Sequence, residues 1–519
     1  MASVPPERVE GQESAMNKMI EIRNPATSEK IAELAVASSN DVAQAVGRAR
    51  QSQIIWQEKS FRERARFLYR FRDLLLDHQE ELAKTLTSES GKTEAEFYGN
   101  ELFYLCDAVG FWAKHAARYL EPERIRPHLL KTKKVFSFYN PIGVVGIISP
   151  WNFPLILTIG EAIPALMAGN AVVMKPSELT PLSALFGVEL TKKAGFPPDL
   201  LQAVVGSGET GEALVDHVDM ISFTGSPETG KKLLRRAAER LIPVTLELGG
   251  KDPMIVLKDA DVERAVNACV WGSLINSGQV CTSVERVYVE DAIYEEFVNK
   301  VVDSVHALRQ GPGENEPDLG SMTSAEQVRK VEAQLDDAVK KGARILTGGR
   351  LSGSNGLYFP PTVLVNVNHE MEVMKEETFG PIIPIMKVRD WEEALRLAND
   401  SRYGLDSSVF TRDQKSGWKL AAKIQAGSVC VNDSMVNFVI PEVPMGGIKD
   451  SGFGRRHGAE GIRKYCQQKT VVTDWLGLKR EFSWFPASRR KTDRLRRALN
   501  FFYRSGWKNK LAALGHRFK

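Results

Sequence analysis

Apolar residues between positions 40 and 120 recur at intervals of three and four. The first of these helices is predicted to start at Asn40-Asp41, with Val42, Ala45, Val46 and Ala49 on one face. A polar, basic stretch over 123–134 breaks this pattern, and Val135-Phe136-Ser137-Phe138-Tyr139 alternates at the period of a strand. From Pro141 onward, short apolar runs alternate with helical stretches, at 143–148, 171–174, 203–205 and 220–223. Runs without alternation, separated by helices, predict a parallel sheet buried on both faces, and so an α/β fold. A second sheet-and-helix unit starts near Gly249-Gly250-Lys251, includes strands at 254–257 and 428–431, and ends at the glycine-rich loop from Pro444 to Arg455.

Each run of the first unit ends in a turn rich in Gly, Pro, Ser or Thr: Ser149-Pro150-Trp151-Asn152, Lys175-Pro176-Ser177-Glu178, Gly206-Ser207-Gly208 and Thr224-Gly225-Ser226. Ligands of open α/β sheets bind at those carboxyl ends, which points to a nucleotide-type site. The 225–230 turn lets a backbone approach a pyrophosphate at a helix start, although its spacing departs from GxGxxG and, taken alone, the segment reads better as an N-capped helix. Lys175 and Glu178, at the end of a neighbouring strand, suit a ribose diol.

The 519-residue length calls for several domains, and the composition, 43% hydrophobic and 26% charged, is that of a globular mixed protein. Five cysteines without CxxC spacing give no zinc site or disulfide framework, so no metal and a reducing, cytoplasmic setting are expected. Met1 to Asn17 has no apolar core of a secretory signal, and no window approaches eighteen apolar residues. One of the five cysteines, Cys281, follows the small polar segment Asn276-Ser277-Gly278-Gln279, a composition that turns a helix end toward the next side chain. Cysteine as thiolate is a strong nucleophile, which makes Cys281 the candidate catalytic residue.

Seven motifs then fall in order: Pro150-Trp151-Asn152-Phe153-Pro154, Lys175-Pro176-Ser177-Glu178, Phe223-Thr224-Gly225-Ser226, Leu246-Glu247-Leu248-Gly249-Gly250-Lys251, Gly278-Gln279-Val280-Cys281, Glu376-Glu377-Thr378-Phe379-Gly380-Pro381 and the loop at Pro444. With them the chain resembles the aldehyde dehydrogenase superfamily from about Ile22 to Trp475, most like a bacterial branch often labelled succinate-semialdehyde dehydrogenase. The resemblance implies a Rossmann-like NAD(P)-binding domain (18–127 and 141–247), an α/β catalytic domain (248–445) and a small β oligomerisation arm with closing loop (128–140 and 446–479), assembled as a homodimer or homotetramer. It implies Cys281 as nucleophile, Asn152 with the Cys281 N–H as oxyanion holder, and Glu247 as the base that activates water, giving a carboxylic acid. Ser149, Trp151, Lys175, Glu178, Gly208, Thr224, Gly225, Ser226, Gly230, Leu248, Glu377 and Phe379 would surround the cofactor. Glu178 favours NAD, because a carboxylate repels a 2′-phosphate, while NADP stays open.

Substrate residues follow from departures. Ile275 stands where succinate-semialdehyde dehydrogenases carry an arginine, and Gly160 stands where relatives carry a bulky aromatic. With Phe153, Ile156, Leu157, Val280 and Thr282, and with Tyr98, Tyr104 and Trp112 as further walls, a roomy apolar tunnel for apolar or aromatic aldehydes is expected; succinate semialdehyde is the alternative, and a noncatalytic binding protein on the same fold a second.

Charge adds one feature that the family pattern does not cover. Residues 480–519 carry 12 Lys/Arg against 2 Asp/Glu, leaving 57 against 63 in the first 479. Basic residues interleave with Leu495, Leu499, Phe502, Trp507, Leu511, Leu514 and Phe518 in two pieces broken near Gly506. This suits peripheral contact with an anionic membrane, docking on an acidic neighbouring subunit, or a solvated tail. Nucleic-acid binding is not expected, because no recognised fold accompanies the charge.

Overall fold

Ser38 opens the first helix, Ser39–Gln57: its hydroxyl accepts from the Asp41 N–H while the Asp41 carboxylate accepts from Ser38 N–H, and Val42, Ala45, Val46 and Ala49 are buried as predicted. This computed structural model describes residues 18–312, 316–351, 356–481 and 483–508. The expectations for Met1 to Asn17 and for Leu511, Leu514 and Phe518 lie outside the described residues.

Strands β1 (Met19–Arg23) and β2 (Lys30–Ala35) form an antiparallel pair. Strands β3 (Glu123–Ile125) and β4 (Lys133–Pro141) pair antiparallel, and β4 covers the alternating segment expected at 135–139. Next come β5 (Val144–Ile148), β6 (Ala171–Lys175), β7 (Leu201–Ala203), β8 (Met220–Thr224) and β9 (Val244–Glu247), parallel neighbours in the order β9-β8-β5-β6-β7 within a six-stranded sheet. The short β17 (Gly452–Phe453), from the glycine-rich loop, closes its edge antiparallel to β9. β7 begins two residues earlier than its apolar run suggested. The Val205 carbonyl accepts from Ala37 N–H at 2.8 Å, which draws that end of the run off the sheet.

The second sheet has seven strands in the order β12-β13-β14-β11-β10-β15-β16: β10 (Asp252–Val256), β11 (Val284–Glu290), β12 (Arg344–Thr347), β13 (Thr362–Val365), β14 (Ile382–Val388), β15 (Ser408–Phe410) and β16 (Cys430–Val431). Only β12 runs antiparallel in it. Apolar clusters cover both of its faces, which is why its strands lack alternation.

Residues 18–122 and 138–469 make one compact unit, and 123–137 with 470–508 make a second. The segments expected as a β arm, 128–140 and 446–479, contain all but the last residue of β4, and β18 (Cys466–Asp474), which pair in a three-stranded sheet of order β18-β4-β3. In the second unit a helix spans Arg489–Tyr503. Among the described residues no helix is long and apolar enough to cross a membrane, and no group of three or more His, Cys, Asp or Glu could hold a metal ion.

Parallel pairing brings Ile148, Lys175, Thr224 and Glu247 to the same edge of the first sheet: Ile148 faces Lys175 and Phe223, and Thr224 faces Glu247. The loops that leave those strands therefore meet in one place.

Candidate active site

The helix Val262–Leu274 ends in a turn whose Asn276, Ser277 and Gly278 all have left-handed φ, at 53°, 53° and 71°. Such backbone costs free energy for a residue with a Cβ and has to be held from outside. The Glu96 carboxylate accepts from Asn276 N–H at 2.6 Å, and the Asn276 amide donates to the Asn152 carbonyl at 3.0 Å. Ser277 Oγ donates to the Gly320 carbonyl at 2.9 Å. A Cβ on Gly278 would lie 2.2 Å from the Gly380 carbonyl oxygen, so only glycine fits there. The turn expected from composition thus exists, and it delivers Cys281.

Cys281 opens onto a cleft of about 180 Å³, with Asn152, Leu157 and Glu247 on its walls and Trp151, Thr224, Gly225, Ser226, Leu248, Glu377 and Phe379 around the rest. Asn152 Nδ2 donates to the Gln279 carbonyl at 2.9 Å, which spends one of its two N–H groups and leaves the other. Glu247 Oε1 is buried without a hydrogen-bond partner. Burial pushes its carboxyl up to about 7, against the pull of Arg456 and Lys464. Burial also pushes the Cys281 thiol up to about 12, so at neutral pH it keeps its proton until a base takes it. Cys281 retains some exposure to the cleft, and water arriving there acts against that rise.

Whether these walls fit a dinucleotide can be judged from their glycines and orphan groups. A Cβ on Gly225 would meet the Phe223 ring at 2.6 Å, one on Gly230 the Leu248 side chain at 2.7 Å, and one on Gly249 the Glu377 carboxylate at 2.7 Å. Backbone therefore comes close to the cleft where side chains could not. Ser226 caps the helix Pro227–Arg240, so the N-capped helix and the glycine turn are one structure that presents N–H groups to an anion. Ser149 Oγ is buried and unpartnered. Lys175 Nζ, almost wholly buried, is 3.3 Å from the half-exposed Glu178 carboxylate. Around Gly208, at the start of the helix Gly208–His217, there is room for a Cβ. The Trp151 and Phe379 rings meet edge-on, centroids 5.4 Å apart. These residues fit NAD(P).

The residues expected at the substrate do not all converge. Leu157 lines the Cys281 cleft. Phe153 instead lies beneath Lys92 Nζ, 3.4 Å from its ring centroid. Val280 and Thr282 are buried beside Cys281 in the chain but do not line the cleft. Ile156, Gly160, Tyr104 and Trp112 line a neighbouring pocket of only about 10 Å³, shared with Glu161, Arg456, His457 and Lys464. The expected roomy, apolar tunnel at Gly160 is not what the structure holds. Tyr104, Phe438 and His457 pack ring against ring and fill that space, and the far wall is ionic. Ile275 and Tyr98 line a separate cavity of about 1020 Å³ that includes Trp271, Glu96 and Asp318.

Residues 12–471 match the model of the aldehyde dehydrogenase family. The chain belongs to this family. It is thereby an oxidoreductase of the NAD(P)-dependent aldehyde dehydrogenase type. It is 40% identical, over 86% of its length and 87% of the relative's, to a Mycobacterium ulcerans protein named "Putative succinate-semialdehyde dehydrogenase [NADP(+)] 2". It is 38% identical, over 89% and 87%, to a 4,4'-diapolycopene aldehyde oxidase from Methylomonas sp.. The NAD+ complex structure of an aldehyde dehydrogenase from Bacillus cereus superposes with a TM-score of 0.85 at 36% identity, covering 88% of this chain and 93% of that one.

Within this aldehyde dehydrogenase, two groups stand out that sequence reasoning did not assign. Glu285 is buried and accepts from Lys251 Nζ at 2.6 Å, from Thr378 N–H at 2.7 Å and from Phe379 N–H at 2.8 Å, so it holds the loop that carries Glu377 and Phe379. Glu377, which accepts from Gly250 N–H at 3.0 Å, is pushed up to about 7 by burial and by the Glu285 charge. Removing Glu285 leaves Lys251 as an uncompensated buried cation, a change that costs about 3 kcal/mol. Glu285→Ala is expected to lower the unfolding free energy by that order in urea titrations and to raise KM for cofactor more than KM for aldehyde.

The other group is ionic and lies beside the catalytic wall. Arg456, buried, donates to Thr224 Oγ1 and sits 3.5 Å from Glu161, which also accepts from Lys464 and Tyr465 at 2.5 Å each and from Ser222 at 3.0 Å. The Tyr104 hydroxyl is 2.7 Å from His457 Nε2, and burial beside Arg456 brings His457 down to about 3, so it is neutral. Arg456 directly follows the glycine-rich loop, but nothing local in the sequence says that it reaches a residue 232 positions away.

Proposed function

We propose that this enzyme oxidises an uncharged, apolar aldehyde to its carboxylic acid and uses NAD in preference to NADP. The supporting observation is the convergence of Cys281, Asn152 and Glu247 with the 224–226 turn on one cleft. Glu247, titrating near neutrality, takes the Cys281 proton as sulfur attacks the carbonyl carbon. The unused N–H of Asn152, with the Cys281 backbone N–H, receives the resulting oxyanion. Bound NAD(P) supplies the hydride acceptor that turns the thiohemiacetal into a thioester. Glu247 gives the thiol proton up to solvent through the cleft and, ionised again, takes a proton from the water that attacks the thioester carbonyl, so that the acid leaves and the Cys281 thiolate is released. Lys175 and Glu178 would hold the adenosine ribose, the 225–230 turn the pyrophosphate, and Glu377 with Phe379 the nicotinamide ribose.

Three buried cations beside residues expected at the substrate already carry carboxylate partners: Lys92, against the Phe153 ring, with Glu101 at 2.8 Å, and Arg456 and Lys464, in the pocket with Gly160, with Glu161. A carboxylate substrate would have to displace one of them, which is why an uncharged aldehyde is preferred. The relative named 4,4'-diapolycopene aldehyde oxidase points the same way, since diapolycopene is a hydrocarbon skeleton. The relatives named for succinate semialdehyde favour that substrate as the second reading. Steady-state kcat/KM for hexanal, benzaldehyde and succinate semialdehyde decides: at least tenfold in favour of the first two is expected, and parity or the reverse order selects succinate semialdehyde.

The half-exposed Glu178 carboxylate, 3.3 Å from Lys175, meets a 2′-phosphate as a like charge. Glu178→Ser is expected to raise kcat/KM for NADP relative to NAD by about tenfold, a change of about 1.4 kcal/mol. An unchanged NADP/NAD ratio would show that selectivity lies elsewhere. The small antiparallel sheet of β3, β4 and β18 supports reading the second unit as an oligomerisation arm, so a dimer or tetramer is the expected sedimenting species.

A further inference from the structure

The helix Arg489–Tyr503 has no buried residue. Leu495, Leu499 and Phe502, at steps of four and three, share one face and are 39%, 57% and 55% exposed. Arg490, Arg494 and Arg497, at steps of four and three, fall on the opposite side, together with the half-exposed Phe501. Trp484 and Phe485 before the helix and Trp507 after it are also exposed. Ser488 caps the start by accepting from Lys491 N–H. The helix is therefore locally defined while its apolar stripe goes uncovered.

We propose that this C-terminal helix lies in the surface of an anionic lipid bilayer, with Leu495, Leu499 and Phe502 in the acyl boundary and the arginines on headgroup phosphates. A bilayer interface takes both faces of the helix at once, with aromatic rings at its two ends. An acidic surface of a second subunit would match the arginines but not the apolar stripe. Charge partition agrees: the first 479 residues have six more acidic than basic groups and are repelled by an anionic surface, so attraction rests with the 12 basic residues of 480–519. The inference does not depend on which aldehyde is oxidised.

The test is co-sedimentation of the full-length enzyme with vesicles of pure phosphatidylcholine and of phosphatidylcholine with one-third phosphatidylglycerol, alongside sedimentation velocity without lipid. Wild type is expected to partition onto the anionic vesicles at least about tenfold more strongly than onto the neutral ones, and less in high salt. Arg490→Glu/Arg494→Glu/Arg497→Glu and, separately, Leu495→Ser/Leu499→Ser/Phe502→Ser are each expected to reduce that binding by at least about tenfold while aldehyde oxidation in solution stays within twofold. Equal pelleting with and without vesicles overturns the proposal, as does binding that neither triple variant changes. A shift of either variant to a smaller oligomer in the absence of lipid also overturns it and assigns the helix to a subunit contact.

Discussion

Cys281→Ser is expected to lower aldehyde oxidation by a factor on the order of 10⁴ or more, the scale seen when a covalent nucleophile is lost. The side chains are close in volume, and the left-handed turn before position 281 is held by Asn276, Ser277 and Gln279 rather than by the sulfur, so the fold should be unchanged. What changes is the chemistry. A serine hydroxyl is a far weaker acid than a thiol, and a base titrating near 7 such as Glu247 cannot prepare it for attack. The measurement is NADH formation with a saturating aldehyde, paired with a fluorescence titration of NAD binding. Loss of turnover with cofactor affinity within about twofold supports the nucleophile assignment. Retention of more than about a tenth of the wild-type rate refutes it.

Glu247→Gln separates the two uses of the carboxylate. If its main task is to activate water, the variant releases about one NADH per active site in a burst, then turns over 10²- to 10⁴-fold more slowly than wild type. If its main task is to deprotonate Cys281, the burst slows by the same factor. Rapid-mixing kinetics reads both. The pH dependence follows from the direction of the shift: the ionised carboxylate is the base, burial raises its titration to about 7, and so the wild-type rate should rise with pH through about 7 and fall away below it. Arg456 lowers Glu247 from an even higher value, so Arg456→Gln should move the inflection to higher pH, with Arg456→Lys moving it less. An inflection that does not move would place Arg456 in the architecture alone.

The parallel strands, the first helix and its buried face, and the glycine turns after the strands were legible in the sequence, while the Ser38 cap of that helix was not. These depend on apolar run length, on Ser, Asp and Gly at chain turns, and on side chains within a few residues of one another, all of which are local. The motif set identified the family because seven short segments fell in one order. Amphipathic spacing in the tail was legible for the same local reason. Tertiary structure alone decided where side chains point after the elements pack. It set Ile275 and Tyr98 in a cavity apart from Cys281, filled the space at Gly160 with Tyr104, Phe438 and His457, and gave the arginine at 456 a carboxylate at 161 and a threonine at 224. It also turned Glu285, a charged residue in a buried strand, into the anchor of the loop at 378–379. No periodicity encodes such contacts. The polar ones join positions roughly 90 to 350 residues apart, and each exists because a buried charge or hydrogen-bonding group must find its partner in three dimensions.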